Sequence, residues 1–255
     1  MHKLTVNGIQ IAFERSGSGL PLVLVHGFPL DHALWDALLP HLDGFDVIAP
    51  DLRGFGESAV MDGTFTMADM ADDVIALLDA LKIEKAALVG HSMGGYVVLA
   101  AARKHPGRVT GLGLVSTQAL PDTPERKTGR YATAEQVGAQ GSVVLADSMA
   151  AKLSANAEHV PLLREMILRQ PPAGLMGALG AMAERADSTD ILPTFTFPVA
   201  IVHGLADVLI PPERSREMKA LIPQASLTEI PNVGHSPMME APAETAKALI
   251  AGLSF

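Results

Sequence analysis

The chain has 255 residues, 48% of them hydrophobic, with a formal net charge of −9 and no cysteine. This length and composition suit a single globular domain. The negative charge argues against nucleic acid or an anionic membrane surface as a partner, and the absence of cysteine excludes disulfides and thiolate-ligated metal sites. Because the sequence has neither a long apolar run nor an N-terminal signal-peptide pattern, we expect a cytoplasmic protein.

The first predicted elements are two short alternating segments, at 4–6 and 9–14, joined by Asn7-Gly8. Asn-Gly between extended segments is typical of a two-residue β-hairpin turn. Later apolar runs lack this alternation, which is typical of strands buried on both faces. These runs lie at 21–25, 45–49, 86–89, 109–115 and 199–202, and a last strand is predicted at 226–230. We therefore expect eight strands.

Helical patterns alternate with these strands. Apolar residues recur at helical spacing over 67–81, 94–105 and 246–253, which predicts amphipathic helices. Strands that alternate with helices predict an α/β fold, with a mostly parallel, doubly wound sheet and the hairpin at its first edge.

One segment breaks the alternation, because no strand is predicted between 118 and 193. Helical patterns occur there at 134–153, 160–169 and 172–185, and an insertion of this length does not stay structureless in a compact domain. We expect a helical cap, inserted after the sixth strand, over the carboxyl edge of the sheet, where ligands bind in such folds. The predicted units are a core of 1–117 and 194–255 and a cap of 118–193.

The stretch Gly90-His91-Ser92-Met93-Gly94 lies between a predicted strand and a predicted helix. A serine flanked by two glycines at such a turn is typical of a nucleophile elbow. The turn is so tight that a Cβ at either glycine would collide with neighbouring backbone. We therefore predict that Ser92 is a nucleophile.

A serine nucleophile needs a base that is itself oriented by a carboxylate. His235 follows the last predicted strand on a loop at the same sheet edge as Ser92, so we predict that it is the base. Asp207 follows the preceding strand at that edge and is the predicted acid, whereas Asp190 precedes the strand and lies at the opposite end. His203, at the strand terminus, is expected to be a packed histidine bonded to backbone.

Acyl transfer also needs two donors for the oxyanion. One is the amide of Met93, directly after the nucleophile at a helix N-terminus. The other is expected from the loop after the third strand, His26-Gly27-Phe28-Pro29, in which Phe28 supplies the amide and Gly27 permits close approach. We expect His26 to brace this loop.

With these motifs in order, the chain resembles the α/β-hydrolase superfamily over essentially its whole length. The matching motifs are His26-Gly-Phe-Pro29, Asp51-Leu-Arg-Gly-Phe-Gly-Glu-Ser58, Gly90-His-Ser-Met-Gly94, Gly204-Leu-Ala-Asp207 and Gly234-His235. Among its members the chain is similar to small capped esterases and lactonases. Segment 182–192 resembles 3-oxoadipate enol-lactonases, and Phe28-Pro29 resembles the cofactor-free haloperoxidases, or perhydrolases. A serine at position 92 argues against haloalkane dehalogenases and epoxide hydrolases, which use aspartate there.

Candidates for the substrate pocket come from two regions. Leu30 and Trp35 follow the oxyanion loop, and Met149 and Met176 lie in the cap. The methionines suit an adaptable apolar cavity, but methionines at helical spacing are more often core residues. A substrate carboxylate would call for a cation, and the sequence does not indicate which cap arginines face inward. These arginines are Arg126, Arg130, Arg164, Arg169 and Arg185.

The sequence thus predicts a carboxylic ester hydrolase that cleaves small esters or lactones through an acyl-enzyme, with no metal and no cofactor. Perhydrolysis by the same three residues is one alternative. A non-catalytic receptor for a small molecule is another, although a receptor has no need of an aligned base and acid. The oligomeric state is left open.

Overall fold

The computed structural model describes residues 1–61 and 63–253. This part of the chain forms an eight-stranded sheet with the order β1-β2-β4-β3-β5-β6-β7-β8. The strands are β1 (His2–Val6), β2 (Ile9–Gly17), β3 (Leu20–Val25), β4 (Phe45–Pro50), β5 (Ala86–His91), β6 (Val109–Val115), β7 (Val199–Gly204) and β8 (Ser226–Ile230). The eight predicted strands are confirmed.

The sheet is antiparallel only at its first edge. Strand β1 pairs with β2 in a hairpin whose turn residues, Asn7 and Gly8, both have positive φ, at 49° and 78°. Positive φ at both positions is the backbone of a type I′ turn. Strand β2 is also antiparallel to β4, and every pair from β4 to β8 is parallel. The predicted doubly wound sheet with an antiparallel hairpin is therefore confirmed.

Helices flank this sheet. The described helices are α1 (Met67–Ala80), α2 (Met93–Lys104), α3 (Pro124–Gln140), α4 (Val143–Met149), α5 (Val160–Leu168), α6 (Pro172–Ala183), α7 (Glu213–Leu221), α8 (Pro237–Glu240) and α9 (Pro242–Leu253). Helix α1 begins at a capping box, in which the Thr66 hydroxyl accepts from the Asp69 amide and the Asp69 carboxylate accepts from the Thr66 amide. Strands β5 and β7 are buried along their whole length, as their apolar runs predict.

The segment predicted as the cap, residues 118–193 and called the cap below, differs from the prediction in two respects. The single helix expected over 134–153 is two helices, α3 and α4, because Gly141 interrupts it with a φ of 82°. Helix α3 also begins about ten residues earlier than expected, at Thr123, whose hydroxyl accepts from the Arg126 amide. Proline directly after a capping threonine is a standard start signal, and the sequence analysis missed it. The cap boundaries at 118 and 193 remain a prediction.

The parallel strands β3, β5, β7 and β8 end at one edge of the sheet. The loops that follow them carry Phe28, Ser92, Asp207 and His235, so the topology brings the predicted functional residues to this edge. None of the helices formed by residues 1–61 and 63–253 combines the length and apolar character that a bilayer span requires.

Candidate active site

Ser92 occupies a strained turn between β5 and α2, with φ 51° and ψ −112°. A Cβ built on Gly90 would lie 2.6 Å from the Gly95 nitrogen, and one on Gly94 would lie 2.7 Å from the His26 carbonyl oxygen. Both distances are far below ordinary contact, so only glycine fits at either flank. The steric reason for the Gly-x-Ser-x-Gly pattern is confirmed, and Ser92 has the backbone of a nucleophile elbow.

Hydrogen bonds hold the Ser92 backbone in this conformation. Its N–H donates to the Val115 carbonyl (2.9 Å), which belongs to the neighbouring strand. Its carbonyl accepts from the Gly95 amide (2.9 Å) and from the Thr117 hydroxyl (2.7 Å). The side chain itself is half-buried and lies at the N-terminus of α2. The turn is therefore fixed while its hydroxyl remains accessible.

Asp207 and His235 form a buried pair. The His235 Nδ1–H donates to Asp207 Oδ2 (2.7 Å), and Asp207 Oδ1 accepts from the amides of Leu209 (2.8 Å) and Ile210 (3.1 Å). His203 Nε2 donates to the Ile210 carbonyl (2.9 Å), as the sequence predicts, and lies 3.2 Å from Asp207 Oδ2. Burial raises the pKa of Asp207, but the charge of His235 and these hydrogen bonds outweigh it and bring the pKa far below its usual range. Asp207 is therefore an ionised acceptor that fixes the His235 tautomer.

His91 connects the nucleophile turn to the histidine loop. Its Nε2–H donates to the His235 carbonyl (2.8 Å), and the two rings lie 4.8 Å apart. Complete burial and the nearby charge of His235 lower the pKa of His91 well below its usual range, so its ring is neutral. His91 directly precedes Ser92, so this contact brings His235 beside the elbow. The sequence carried no spacing signal for this role.

The oxyanion loop is braced by His26, as predicted. Its Nδ1–H donates to the Gly27 carbonyl (3.0 Å), and its Nε2 accepts from the Leu52 amide (3.0 Å). Burial lowers the pKa of His26, which keeps the ring neutral and able to accept. Among the described residues, the amides of Phe28 and Met93 have no hydrogen-bond acceptor. Two amides without an acceptor, one on the loop after β3 and one at the first residue of α2, are the kind of donors that an oxyanion site requires.

Comparison with known proteins identifies the family of this chain. A family profile described as alpha/beta hydrolase fold matches residues 21–242. The chain belongs to the α/β hydrolase fold family. A putative non-heme haloperoxidase from Mycobacterium phage D29 is 32% identical to this α/β hydrolase, over 96% of this chain and 91% of the phage protein.

Solved structures of other α/β hydrolases superpose closely on this one. A thermophilic esterase from Thermogutta terrifontis, with malate bound, has a TM-score of 0.92 and 44% identity, covering 97% of this chain and 95% of that one. The enol-lactonase from Burkholderia xenovorans LB400 has a TM-score of 0.89 and 24% identity, with complete coverage of both chains. The second comparison supports the fold alone. The resemblance stated from the sequence motifs is thus confirmed.

The structure places the four pocket candidates of this α/β hydrolase in different surroundings. Leu30 and Trp35 are fully buried in the hydrophobic core and have no exposed surface. Met149 is half-buried and packs against the core. Met176 is 39% exposed and lines a groove of about 770 Å³ whose walls do not include the predicted catalytic residues.

Glu240 is a site residue that the sequence analysis missed. One carboxylate oxygen accepts from the amides of Gly234 (3.0 Å) and Ala155 (2.9 Å), and the other accepts from the Ser236 amide (3.3 Å). Gly234 and Ser236 flank His235, and Ala155 lies in the cap. Glu240 therefore holds the histidine loop and ties the cap to it. Glu240 lies four residues after Ser236, at the end of the short helix α8. The glutamate of a capping box lies three residues after the capping residue, so no spacing rule indicated this role.

Three of the candidate arginines pair with buried carboxylates. Arg185 is itself buried; its guanidinium pairs with Asp122 (2.8 Å) and lies 4.2 Å from the centre of the Tyr96 ring. Arg130 also pairs with Asp122, and Arg169, whose side chain is 45% exposed, pairs with Asp31 of the core. All three cations are already neutralised by protein carboxylates, so none of them is a free site for a substrate carboxylate.

Asp31, His32 and Asp51 lie close enough together to suggest a metal site, with ligand atoms within 4.8 Å of one another. However, Asp31 is engaged by Arg169 (2.7 Å), and Asp51 Oδ1 accepts from the His32 amide (2.9 Å) and from His32 Nδ1 (2.7 Å). The arginine supplies the positive charge that a cation would bring. This donor set therefore serves the oxyanion loop and does not fit a metal.

Proposed function

We propose that this α/β hydrolase is a serine hydrolase of carboxylic esters and lactones. The observation that carries the proposal is the hydrogen-bonded Asp207–His235 pair (2.7 Å) beside the strained elbow of Ser92. This arrangement supplies a nucleophile, a base and an orienting acid at one sheet edge, in the chain order expected for the fold.

In the proposed reaction, Ser92 Oγ attacks the ester carbonyl and passes its proton to His235 Nε2. The oxyanion that forms accepts hydrogen bonds from the amides of Phe28 and Met93. His235 then protonates the leaving alkoxide, which leaves an acyl-enzyme on Ser92. Water attacks this intermediate with His235 as base, and the carboxylic acid departs as the Ser92 proton is restored. Asp207 stays ionised and stabilises the imidazolium at each step.

We infer that the substrates are small esters or lactones without a required metal or cofactor. The 44% identity to a thermophilic esterase over nearly the whole chain supports the ester class. In a lactone, the leaving alkoxide remains attached to the acyl group, and the same residues suffice. The groove that Met176 lines lies apart from the proposed catalytic residues, so it does not define the substrate.

Labelling with a fluorophosphonate and hydrolysis of p-nitrophenyl butyrate test this proposal. Ser92→Ala should abolish labelling and lower kcat by at least about a thousandfold. The matched control is Ser116→Ala, because Ser116 is also a serine at a strand end with positive φ (45°) and is fully buried. That variant should label and turn over normally. A wild-type chain that neither labels nor hydrolyses esters, but is stabilised by small ligands, would instead be a receptor.

Perhydrolysis is a second candidate, favoured by the 32% identity to a putative haloperoxidase. Hydrogen peroxide would replace water in attacking the acyl-enzyme, so that a carboxylic acid and peroxide give a peracid and water. Peracid formation from acetate and peroxide, measured against ester hydrolysis, separates the two activities. A hydrolysis rate that exceeds the peracid rate at equal substrate concentration assigns the enzyme to the esterases.

A further inference from the structure

Asp31 is a buried carboxylate in the oxyanion loop, three residues after Phe28. It is 1% exposed, and an isolated charge in such a place is unfavourable. Burial raises the pKa of Asp31, but the hydrogen bonds and charge of Arg169 outweigh burial and hold the pKa below its usual range. The ionised state of Asp31 therefore depends on the groups that bind its carboxylate.

Its partners come from the cap. Arg169 donates from Nε to Oδ2 and from Nη2 to Oδ1, both at 2.7 Å, in a bidentate pair. Gln170 donates from Nε2 to Oδ2 (2.7 Å). Arg169 and Gln170 lie directly after α5. A bidentate arginine–carboxylate pair fixes the orientation of the two groups as well as their distance. Among the described residues, the only hydrogen bond that the Asp31 carboxylate accepts from its own loop comes from the Ala33 amide (3.1 Å).

Gln170 also reaches a second loop of the core. Its Oε1 accepts from the Gly56 amide (2.8 Å), and its Nε2 donates to the Met166 carbonyl (2.8 Å), which holds the side chain in place. Phe55 precedes Gly56, and its ring lies edge-on to the Phe28 ring with centroids 6.2 Å apart. The cap is thus linked to the Phe28 segment in two ways. One link is direct, to the Asp31 carboxylate three residues after Phe28. The other is indirect, through the Gly56 amide and the neighbouring Phe55 ring.

We propose that Arg169 and Gln170 are positioning residues that set the Phe28 amide for the oxyanion. This inference rests on the proposed function. Neither residue needs to contact the substrate, because both act through Asp31 and Gly56. A displacement of about 1 Å in a catalytic group can cost on the order of a hundredfold in rate, so loss of this anchor should lower kcat more than it changes KM.

Activity measurements test the anchor with variants of graded severity. The variants to compare are Arg169→Leu, Gln170→Met and Arg169→Lys. Their kcat and KM are measured with p-nitrophenyl butyrate, and the concentration of active sites in each sample is determined by titration with a fluorophosphonate. The first two should lower kcat about 10- to 100-fold with KM within about twofold. Arg169→Lys keeps the charge but not the bidentate geometry, so it should recover only part of the loss. If Arg169→Leu does not fold, Gln170→Met and Arg169→Lys carry the comparison.

The matched control is Arg164→Leu. Arg164 lies on helix α5, which Arg169 directly follows, but its pair with Asp147 (2.8 Å) is exposed and joins two cap residues. This variant should keep the wild-type kcat. An equal loss in Arg164→Leu, or a folded Arg169→Leu with the wild-type kcat per titrated site, would overturn the proposal.

Amide hydrogen exchange supplies a readout that does not depend on activity. Residues 26–33 and Gly56 should exchange faster in Arg169→Leu and Gln170→Met, whereas Arg164→Leu should leave them unchanged. If the wild-type chain has no ester activity, the proposed function fails, and exchange alone decides whether the cap holds this loop. Unchanged exchange at these amides contradicts the anchor whatever the activity.

Discussion

Replacing Gly94 with alanine tests the contact between the nucleophile helix and the oxyanion loop. In α2 the added methyl group should contribute about 1 kcal/mol through helix propensity. However, it would lie 2.7 Å from the His26 carbonyl oxygen, where ordinary contact begins at 3.4 Å, and closer still to that of Val25. The helix must therefore retreat by at least about 0.7 Å from the loop. Such overpacking costs about 1–3 kcal/mol, so the net loss of stability should be at most about 2 kcal/mol.

The effect on catalysis should be much larger than the effect on stability. The retreat separates Ser92 and Met93 from Phe28, and a shift of about 1 Å costs on the order of a hundredfold in rate. We therefore expect kcat per titrated site to fall about 100-fold on p-nitrophenyl butyrate, while calorimetry shows a folded protein with a modestly lower Tm.

Gly129→Ala is the matched control for this experiment. Gly129 is also helical, in α3, but is exposed, and a Cβ there meets no atom within 4 Å. It should raise Tm by about 2–4 °C and leave kcat unchanged. A folded Gly94→Ala with the wild-type kcat would refute the steric reasoning, as would an equal loss of kcat in Gly129→Ala.

Three further predictions concern the carboxylates of the site. Asp207→Asn should lower kcat by about 10⁴-fold in steady-state assays, because an amide does not fix the His235 tautomer as the carboxylate does; a loss below tenfold would contradict this role. Glu240→Gln removes charged hydrogen bonds worth about 1.5–3 kcal/mol each, and should lower kcat about tenfold and speed amide exchange at residues 234–236. Asp31, Asp122 and Asp207 have pKa values below the ordinary 3.8, so their stabilisation is present above that pH and is lost as the pH falls below it. Tm should therefore drop steeply below about pH 4, less so in Asp122→Asn, and a flat profile between pH 5 and 2 would contradict these shifts.

The core of the site was predictable because its determinants are local or follow from strand order. The elbow at Ser92 requires glycine on both sides of the turn, and this requirement can be read from five consecutive residues. The short distances from a Cβ built at Gly90 or Gly94 confirm it. The placement of Asp207 and His235 followed from the rule that parallel strands share a carboxyl edge. Neither inference required knowledge of which helix packs where.

The burial of Leu30 and Trp35 could not be predicted because it depends on partners that are distant in the chain. Both residues are apolar and follow the oxyanion loop, which suits a pocket wall and a core equally well. In the structure, both side chains are fully buried in the hydrophobic core, Trp35 at the end of the short 3-10 helix His32–Trp35. The sequence indicates that a side chain avoids water, but not whether protein or ligand covers it.

The contacts between cap and core were beyond prediction for the same reason. Arg169 and Asp31 are 138 residues apart, and Glu240 and Ala155 are 85 apart, so no spacing rule pairs them. An arginine in an amphipathic cap is ordinarily solvated, and only the fold shows that Arg169 meets a buried carboxylate. These two contacts fasten the cap to the loops on both sides of Ser92, one at Phe28 and one at His235. Changes in the cap should therefore alter the geometry of the catalytic loops as well as the space above them, and kcat and KM must be measured separately to distinguish the two effects.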